Sequence, residues 1–166
     1  MYVLRDILQF DTSVQDATNR FESIRRTCYL ILGVGDGKQD EFLGYQYSTS
    51  VLNAYTDTNM EPYNETWHPR IDNIVYWGMD WMDPGYSGAL SQQLELYYGN
   101  ITYNTAIKDI IAHVQSGDLH IALYDYANDQ VFISIHSKSD QNTAFQNAYQ
   151  RPYIRFDLND LFAEDY

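Results

Sequence analysis

Apolar residues at the start of the chain recur at helical spacing, with Leu4, Ile7 and Leu8 on one face, and the pattern breaks near Asp11. It restarts as a stripe of Val14, Ala17, Phe21 and Ile24, with Thr12 placed to cap a second helix and Gln15 to close a capping box. At Cys28 the period changes. CYLILGVG is a continuous apolar run that predicts a buried strand over 28–34, and Asp36-Gly37 supplies a tight turn after it. FLGYQYS and SVLNAYT predict two further strands, the first over 41–47.

From Asp57 to Gly85 regular periods disappear, and Pro62, Pro69, Pro84 and all three tryptophans, Trp67, Trp77 and Trp81, fall there. A long loop inside a compact domain is often functional. Its aromatic residues serve either as packing anchors or as ligand contacts, and Trp67, His68 and Trp81 are the candidates for substrate binding. Helical periodicity then returns in SGALSQQLELYYG, which ends at Gly99. A second helix is capped by Thr102, carries Ile107, Ile110, Ile111 and Val114 on one face, and closes at Gly117. LHIALYDY and QVFISIHS flank the turn residues Ala127-Asn128-Asp129, a hairpin with strands over 119–125 and 131–136. A short helical piece near Thr143 to Tyr149 precedes a last strand, YIRFDL, and a closing Leu161-Phe162.

Strands adjacent in sequence, grouped apart from the helices, predict an α+β fold of mostly antiparallel sheets layered with helices, with residues 1–166 as a single domain. A chain of 166 residues buries roughly 70% of its unfolded surface, enough for one core.

Charge narrows the partners. With 23 acidic against 10 basic side chains and a net charge of −13, the chain repels phosphate backbones, so nucleic acid is excluded as a partner. The densest basic spots, Arg25-Arg26 and Arg151 with Arg155, read as solvated ends of elements. No window holds the roughly 18 consecutive apolar residues of a membrane helix, and MYVLRDILQFD lacks the build of a signal peptide. An exported form is expected to carry its signal upstream of Met1. The sequons Asn64-Glu65-Thr66 and Asn100-Ile101-Thr102 make Asn64 and Asn100 candidate glycosylation sites and lean toward an extracellular or lysosomal location.

Several chemical signatures are absent: a Walker loop, G-x-G-x-x-G, H-E-x-x-H, paired C-x-x-C and G-x-S-x-G. Gly33-Val34-Gly35-Asp36-Gly37 continues into a turn and lacks the helix N-terminus that would hold phosphate. The histidines His68, His113, His120 and His136 show no metal-ligand spacing, so neither a metal nor a cofactor is expected. Cys28, the one cysteine, excludes a disulfide within the chain and reads as a buried structural thiol.

Taken in order, LRDILQFDTSVQDATNRFESI, RRTCYLILGVGDGKQDEFLGYQYS, SVLNAYTDTNMEP, DLHIALYDYANDQVFISIH and RPYIRFDLNDLF resemble a known family over nearly the whole chain. They are similar to the C-terminal part of the acyl-coenzyme A:6-aminopenicillanic acid acyltransferase-like branch of the N-terminal-nucleophile hydrolases, with acid ceramidase more distant. The resemblance implies two antiparallel sheets between helical layers, and a cysteine exposed by self-cleavage that attacks a linear amide while its free α-amine acts as base. Met1 cannot play that part, so the resemblance places the nucleophile on an upstream segment or a companion chain. Thr58-Asn59 matches the family's Thr-Asn, whose Asn donates to the oxyanion; the alternative for Asn59 is an Asx-turn after Asp57. The expected function is a linear amide hydrolase or acyltransferase acting on a small amide or acylated substrate, with oligomeric state left open. The alternative, from another class, is a non-catalytic, glycosylated extracellular structural or binding protein of the same fold, using its 16 tyrosines and the tryptophan loop for contacts.

Overall fold

A computed structural model describes residues 2–61, 63–77, 84–138 and 144–163, and the chain organises as two compact units, Met1–Pro84 and Gly85–Tyr166. The fold is α+β, with one antiparallel three-stranded sheet in each unit and helices beside them. The first unit holds α1 (Tyr2–Phe10), α2 (Val14–Ser23) and the sheet β1 (Leu30–Asp36), β2 (Glu41–Tyr47) and β3 (Leu52–Tyr55), in that order across the sheet.

The break between α1 and α2 is built from polar side chains. Ser13, not Thr12, is the N-cap: its hydroxyl accepts from the Asp16 N–H at 3.1 Å, and the Asp16 carboxylate reaches back to the Thr12 N–H at 3.2 Å. The cap therefore sits one residue later than the sequence suggested, and Gln15, expected to close a capping box, instead pairs with Asn19 along the helix. Hydrogen bonding to the Asp16 carboxylate, from the Ser13 side chain first and then from Thr12, holds its carboxyl below the ordinary range. Asp11 grips Arg20 with both carboxylate oxygens, one of them 2.7 Å from Nε, and this hydrogen bond raises the guanidinium pKa further.

β-Strand alternation sends Leu32, Val34, Leu43, Tyr45, Tyr47 and Leu52 to one face, where they meet Ile7, Ala17 and Phe21 of the helices. Phe21 is fully buried and presents its ring edge-on to Tyr45 at 5.0 Å and Tyr47 at 5.4 Å. The Tyr45 hydroxyl is satisfied by Thr18 at 2.7 Å, so this fully buried phenol is not orphaned. Arg26 is not a solvated end: it donates to the carbonyls of Ser48 and Phe21 at 2.8 and 3.0 Å, tying the end of α2 to the end of β2. Arg25 is exposed. Cys28 lies before β1 and is exposed, which corrects the expectation of a buried strand cysteine. The β1–β2 turn is a four-residue loop in which Asp40, at φ 54°, takes the left-handed position, while Asp36 caps Lys38 through its carboxylate.

The second unit comprises α3 (Pro84–Leu96), α4 (Tyr103–Val114), β4 (His120–Asp125), β5 (Gln130–Ile135), β6 (Ile154–Asp157) and α5 (Leu158–Ala163). Thr102 and Thr105 form the capping box of α4, whose centre, Ala106–Ile111, widens into a π-helix. Gln115 closes it in the left-handed region at φ 57°, two residues before Gly117. β4 and β5 make the expected hairpin, turned by Tyr126–Asn128 with Asp129 at φ 51°, and β6 adds to β5. Only Ala148–Gln150 of the short helical piece forms, as a single 3₁₀ turn; Thr143 lies outside the described residues. It is anchored by Ser134, whose hydroxyl donates to the Ala148 carbonyl at 2.7 Å. Arg151 likewise donates to the Ile135 carbonyl at 2.6 Å, while Arg155 stays exposed. Among the described residues no helix is long and apolar enough to cross a membrane.

Phe21→Ala removes a fully buried ring and two edge contacts at once. It should cost about 3–5 kcal/mol in urea unfolding, and a loss under ~1 kcal/mol would contradict a core centred on Phe21.

Candidate functional site

The other face of the first unit's sheet is the one turned away from α1 and α2. Ile31, Gly33, Gly35, Phe42, Gly44, Gln46, Asn53 and Tyr55 alternate onto it, and three of these are glycines. Gly44 is the position that matters most: a Cβ there would stand 2.0 Å from the indole of Trp77, so the ring lies against the backbone of β2. Glycine in a strand interior marks such a close approach. Trp77 also meets Tyr55 edge-on at 5.7 Å and donates its indole N–H to the Glu61 carbonyl at 2.6 Å.

Through Trp77 the irregular segment after β3 is fastened across the sheet. Its internal fastenings are few and specific. The Asp57 carboxylate accepts from Asn73 N–H at 2.8 Å, with Asn73 left-handed at φ 61°. Asn64 and His68 exchange backbone hydrogen bonds, both 2.9 Å long, and Tyr76 donates to the Pro69 carbonyl at 2.6 Å. Met60 is fully buried beneath.

Between this segment and the sheet edge lies an open cleft of about 870 Å³, within the first unit. Its walls include Tyr29, Tyr55, Tyr63, Trp67 and Trp77, with Gln46, Asn59, Glu61 and Arg70 among the polar groups. Asn53 donates to the Gln46 oxygen and to the Tyr55 hydroxyl, both at 3.0 Å, and the Tyr55 hydroxyl lies 3.2 Å from the Gln46 oxygen and 3.5 Å from a Glu61 oxygen. Burial lifts the Tyr55 pKa above the ordinary phenol range; the bond from Asn53 opposes this and the Glu61 charge adds to it. At neutral pH Tyr55 is therefore a neutral donor. The Arg70 guanidinium stacks over Tyr63 at 4.5 Å.

Asn59 lies on this cleft, and its orientation follows from its partners. Its side-chain oxygen accepts from the Thr56 N–H at 2.7 Å and lies 3.2 Å from the Thr56 hydroxyl. A backbone N–H only donates, so the oxygen end is fixed against the turn. The amide nitrogen makes one long bond, 3.4 Å, to the Ala54 carbonyl, and its second hydrogen has no partner among the described residues. Asn59 thus holds the turn with its oxygen, and its nitrogen keeps one N–H without a partner among the described residues.

Of the other sequence candidates, Trp67 lines the cleft. His68 does not: it is fully buried, stacked on Tyr76 at 4.3 Å with Trp67 edge-on at 6.1 Å, and it packs the loop from within. Trp81 lies outside the described residues. Asn64 is half-buried, with its side-chain oxygen accepting from the N–H groups of Thr66 and Trp67 at 2.9 and 3.3 Å, whereas Asn100 is exposed. Sequence reasoning missed Tyr29, Tyr55, Glu61, Arg70 and Trp77. Gly44, alternating onto the same face as Gln46, was the available signal for a ring lying on the sheet. Among the described residues no three His, Cys, Asp or Glu side chains gather to hold a metal ion.

The chain is similar to two Dictyostelium discoideum proteins. It is 31% identical to Protein dcd1A over 169 residues, which cover 97% of this chain and 38% of that protein. It is 30% identical to Protein dcd1B over 179 residues, which cover 98% of this chain and 34% of that protein. The chain therefore spans little more than a third of the length of the relatives it matches. No protein-family profile and no solved structure matches it.

Gly44→Ala should displace Trp77 and destabilise the protein by about 1–3 kcal/mol, read by urea unfolding alongside tryptophan emission. Unchanged stability with unchanged emission would contradict the seating of Trp77 on β2.

Proposed function

We propose that this chain is part of an N-terminal-nucleophile hydrolase of the acyl-coenzyme A:6-aminopenicillanic acid acyltransferase-like branch, distantly similar to acid ceramidase, acting on a linear amide. The observation that carries the reading is Asn59: it lines an aromatic cleft, its oxygen is committed to Thr56, and its amide nitrogen keeps an N–H that no described residue takes. A donor held before charge develops costs no reorganisation during reaction, which is what an oxyanion stabiliser requires. The antiparallel sheets with helices beside them share the α+β class of that family.

In this reading a cysteine on an upstream segment or companion chain supplies the thiolate. It adds to the amide carbonyl, Asn59 donates to the resulting oxyanion, and collapse expels the amine, which takes a proton from the base. The acyl-thioester left behind passes to water or to an acceptor. The reaction belongs to the longer protein, and dcd1A and dcd1B, the proteins the chain resembles, exceed it in length. Trp67 serves as a substrate-contacting wall. Passage through the secretory route, to the lysosome or the cell exterior, fits the two sequons, of which Asn100 is the more open.

Asn59→Asp separates the two roles of the side chain, since a carboxylate still accepts from Thr56 but donates nothing. In the full-length protein, assayed on a panel of N-acyl amides, Asn59→Asp and Asn59→Ala should lower kcat by roughly 10²–10³. The Asp variant should melt within a few degrees of the parent. Full activity in the Asp variant, or the absence of a Cys-terminated chain on N-terminal sequencing, would contradict the proposal. Expressed through a secretory pathway, the protein should lose the mass of one glycan on Asn100→Gln, read by intact-mass spectrometry; an unchanged mass would count against that route.

A further inference from the structure

The polar groups of the cleft are of both kinds, and that limits what can fill it. Glu61 is acceptor-only, with a single long bond to the Tyr55 hydroxyl at 3.5 Å. Arg70 is donor-only: one face of its guanidinium rests on Tyr63, and its N–H edges have no hydrogen-bond partner among the described residues. A cationic ligand meets Arg70, an anionic one meets Glu61, and a purely apolar one offers neither a hydrogen-bond partner. A neutral ligand whose groups each donate and accept satisfies both.

The rest of the wall selects its skeleton. Tyr29 and Tyr63 are 56% and 44% exposed, so their aromatic surface is open to the solvent that a ligand would displace. The polar groups between the rings are already steadied: Gln46 by Asn53, the Glu61 backbone by Trp77, and Arg70 by Tyr63. Pre-placed planar hydrogen-bonding groups beside open aromatic surface suit a rigid ring that carries hydroxyls on its rim and C–H bonds on its faces. The volume, about 870 Å³, is that of a small-molecule site.

We infer that this cleft binds a neutral carbohydrate, with a sugar ring lying on the tyrosine and tryptophan side chains and its hydroxyls bridging Glu61 and Arg70. The cleft is the one the proposed function gives to the amide substrate, but sugar binding there does not require amide turnover. The site holds a sugar whether that sugar belongs to a substrate, to a glycan on another protein, or to a free oligosaccharide.

The test uses the intact protein and saturation-transfer NMR with maltotriose, cellotriose, mannotriose and chitotriose at millimolar concentration. N-dodecanoylglycine amide and tetramethylammonium chloride are the apolar and cationic comparisons. The expected result is transfer to at least one trisaccharide, weakened about tenfold in Glu61→Gln and in Arg70→Met and roughly three- to tenfold in Tyr63→Ala, with melting temperatures unchanged. Sugar binding by a protein without amide turnover supports this inference and removes the hydrolase reading. Transfer to none of the four sugars would overturn the inference, as would tighter binding of tetramethylammonium or sugar binding unaffected by all three substitutions.

Discussion

The indole of Trp77 occupies the space where a side chain on residue 44 would stand, and the geometry of the cleft follows from that one contact. A bare strand surface is poor at holding a long irregular segment, because it offers neither apolar relief nor polar partners. A ring pressed on it supplies both: it covers the backbone of β2, meets Tyr55 edge-on, and reaches the Glu61 carbonyl with its N–H. Those contacts place Glu61 and Tyr55 beside one another and leave open space next to Asn59. The two faces of a single sheet are thereby divided between duties, one packed as core against α1 and α2, the other kept open as a site.

The second unit is held differently. Its helix α4 and sheet contribute Ile110, Val114, Val131 and Phe132 to burial, and Tyr103 stacks on Phe132 at 4.6 Å. Side-chain-to-backbone bonds then pin the stretch between β5 and β6, with Ser134 and Arg151 each capturing a carbonyl. These are structural fastenings, and the residues of the candidate site lie in the first unit.

Periodicity made the framework legible. The helices at 4–8 and 14–24, the β2 strand and the hairpin of the second unit follow from alternation and turn residues, and the hairpin's left-handed Asp129 fell within the expected turn. Boundaries were less legible where neighbouring residues compete for one role. Thr12 and Ser13 both suit a cap, and the tertiary setting chose Ser13. The π-helical centre of α4 left no mark, since its apolar stripe fits either winding. Burial of Cys28 was misjudged because the apolar run begins before the strand does. Of the residues that line the cleft, Asn59 was singled out in the sequence through a resemblance and Trp67 through its loop. Tyr29, Gln46 and Glu61 were not, because their meeting depends on contacts across the sheet that no local pattern encodes. His68 read as functional for its place in a loop, yet that loop has an interior of its own, and His68 fills it.

The central claim is that the amide nitrogen of Asn59 faces a reacting carbonyl in the cleft of the first unit. A crystal structure of the full-length protein, trapped with a thiol-reactive acyl inhibitor, tests it most directly. The account predicts a cysteine-bound adduct whose oxygen lies about 3 Å from the Asn59 amide nitrogen, with Trp77 still seated on Gly44. An adduct formed elsewhere, or one whose oxygen is held by other donors while Asn59 serves the turn alone, would contradict it.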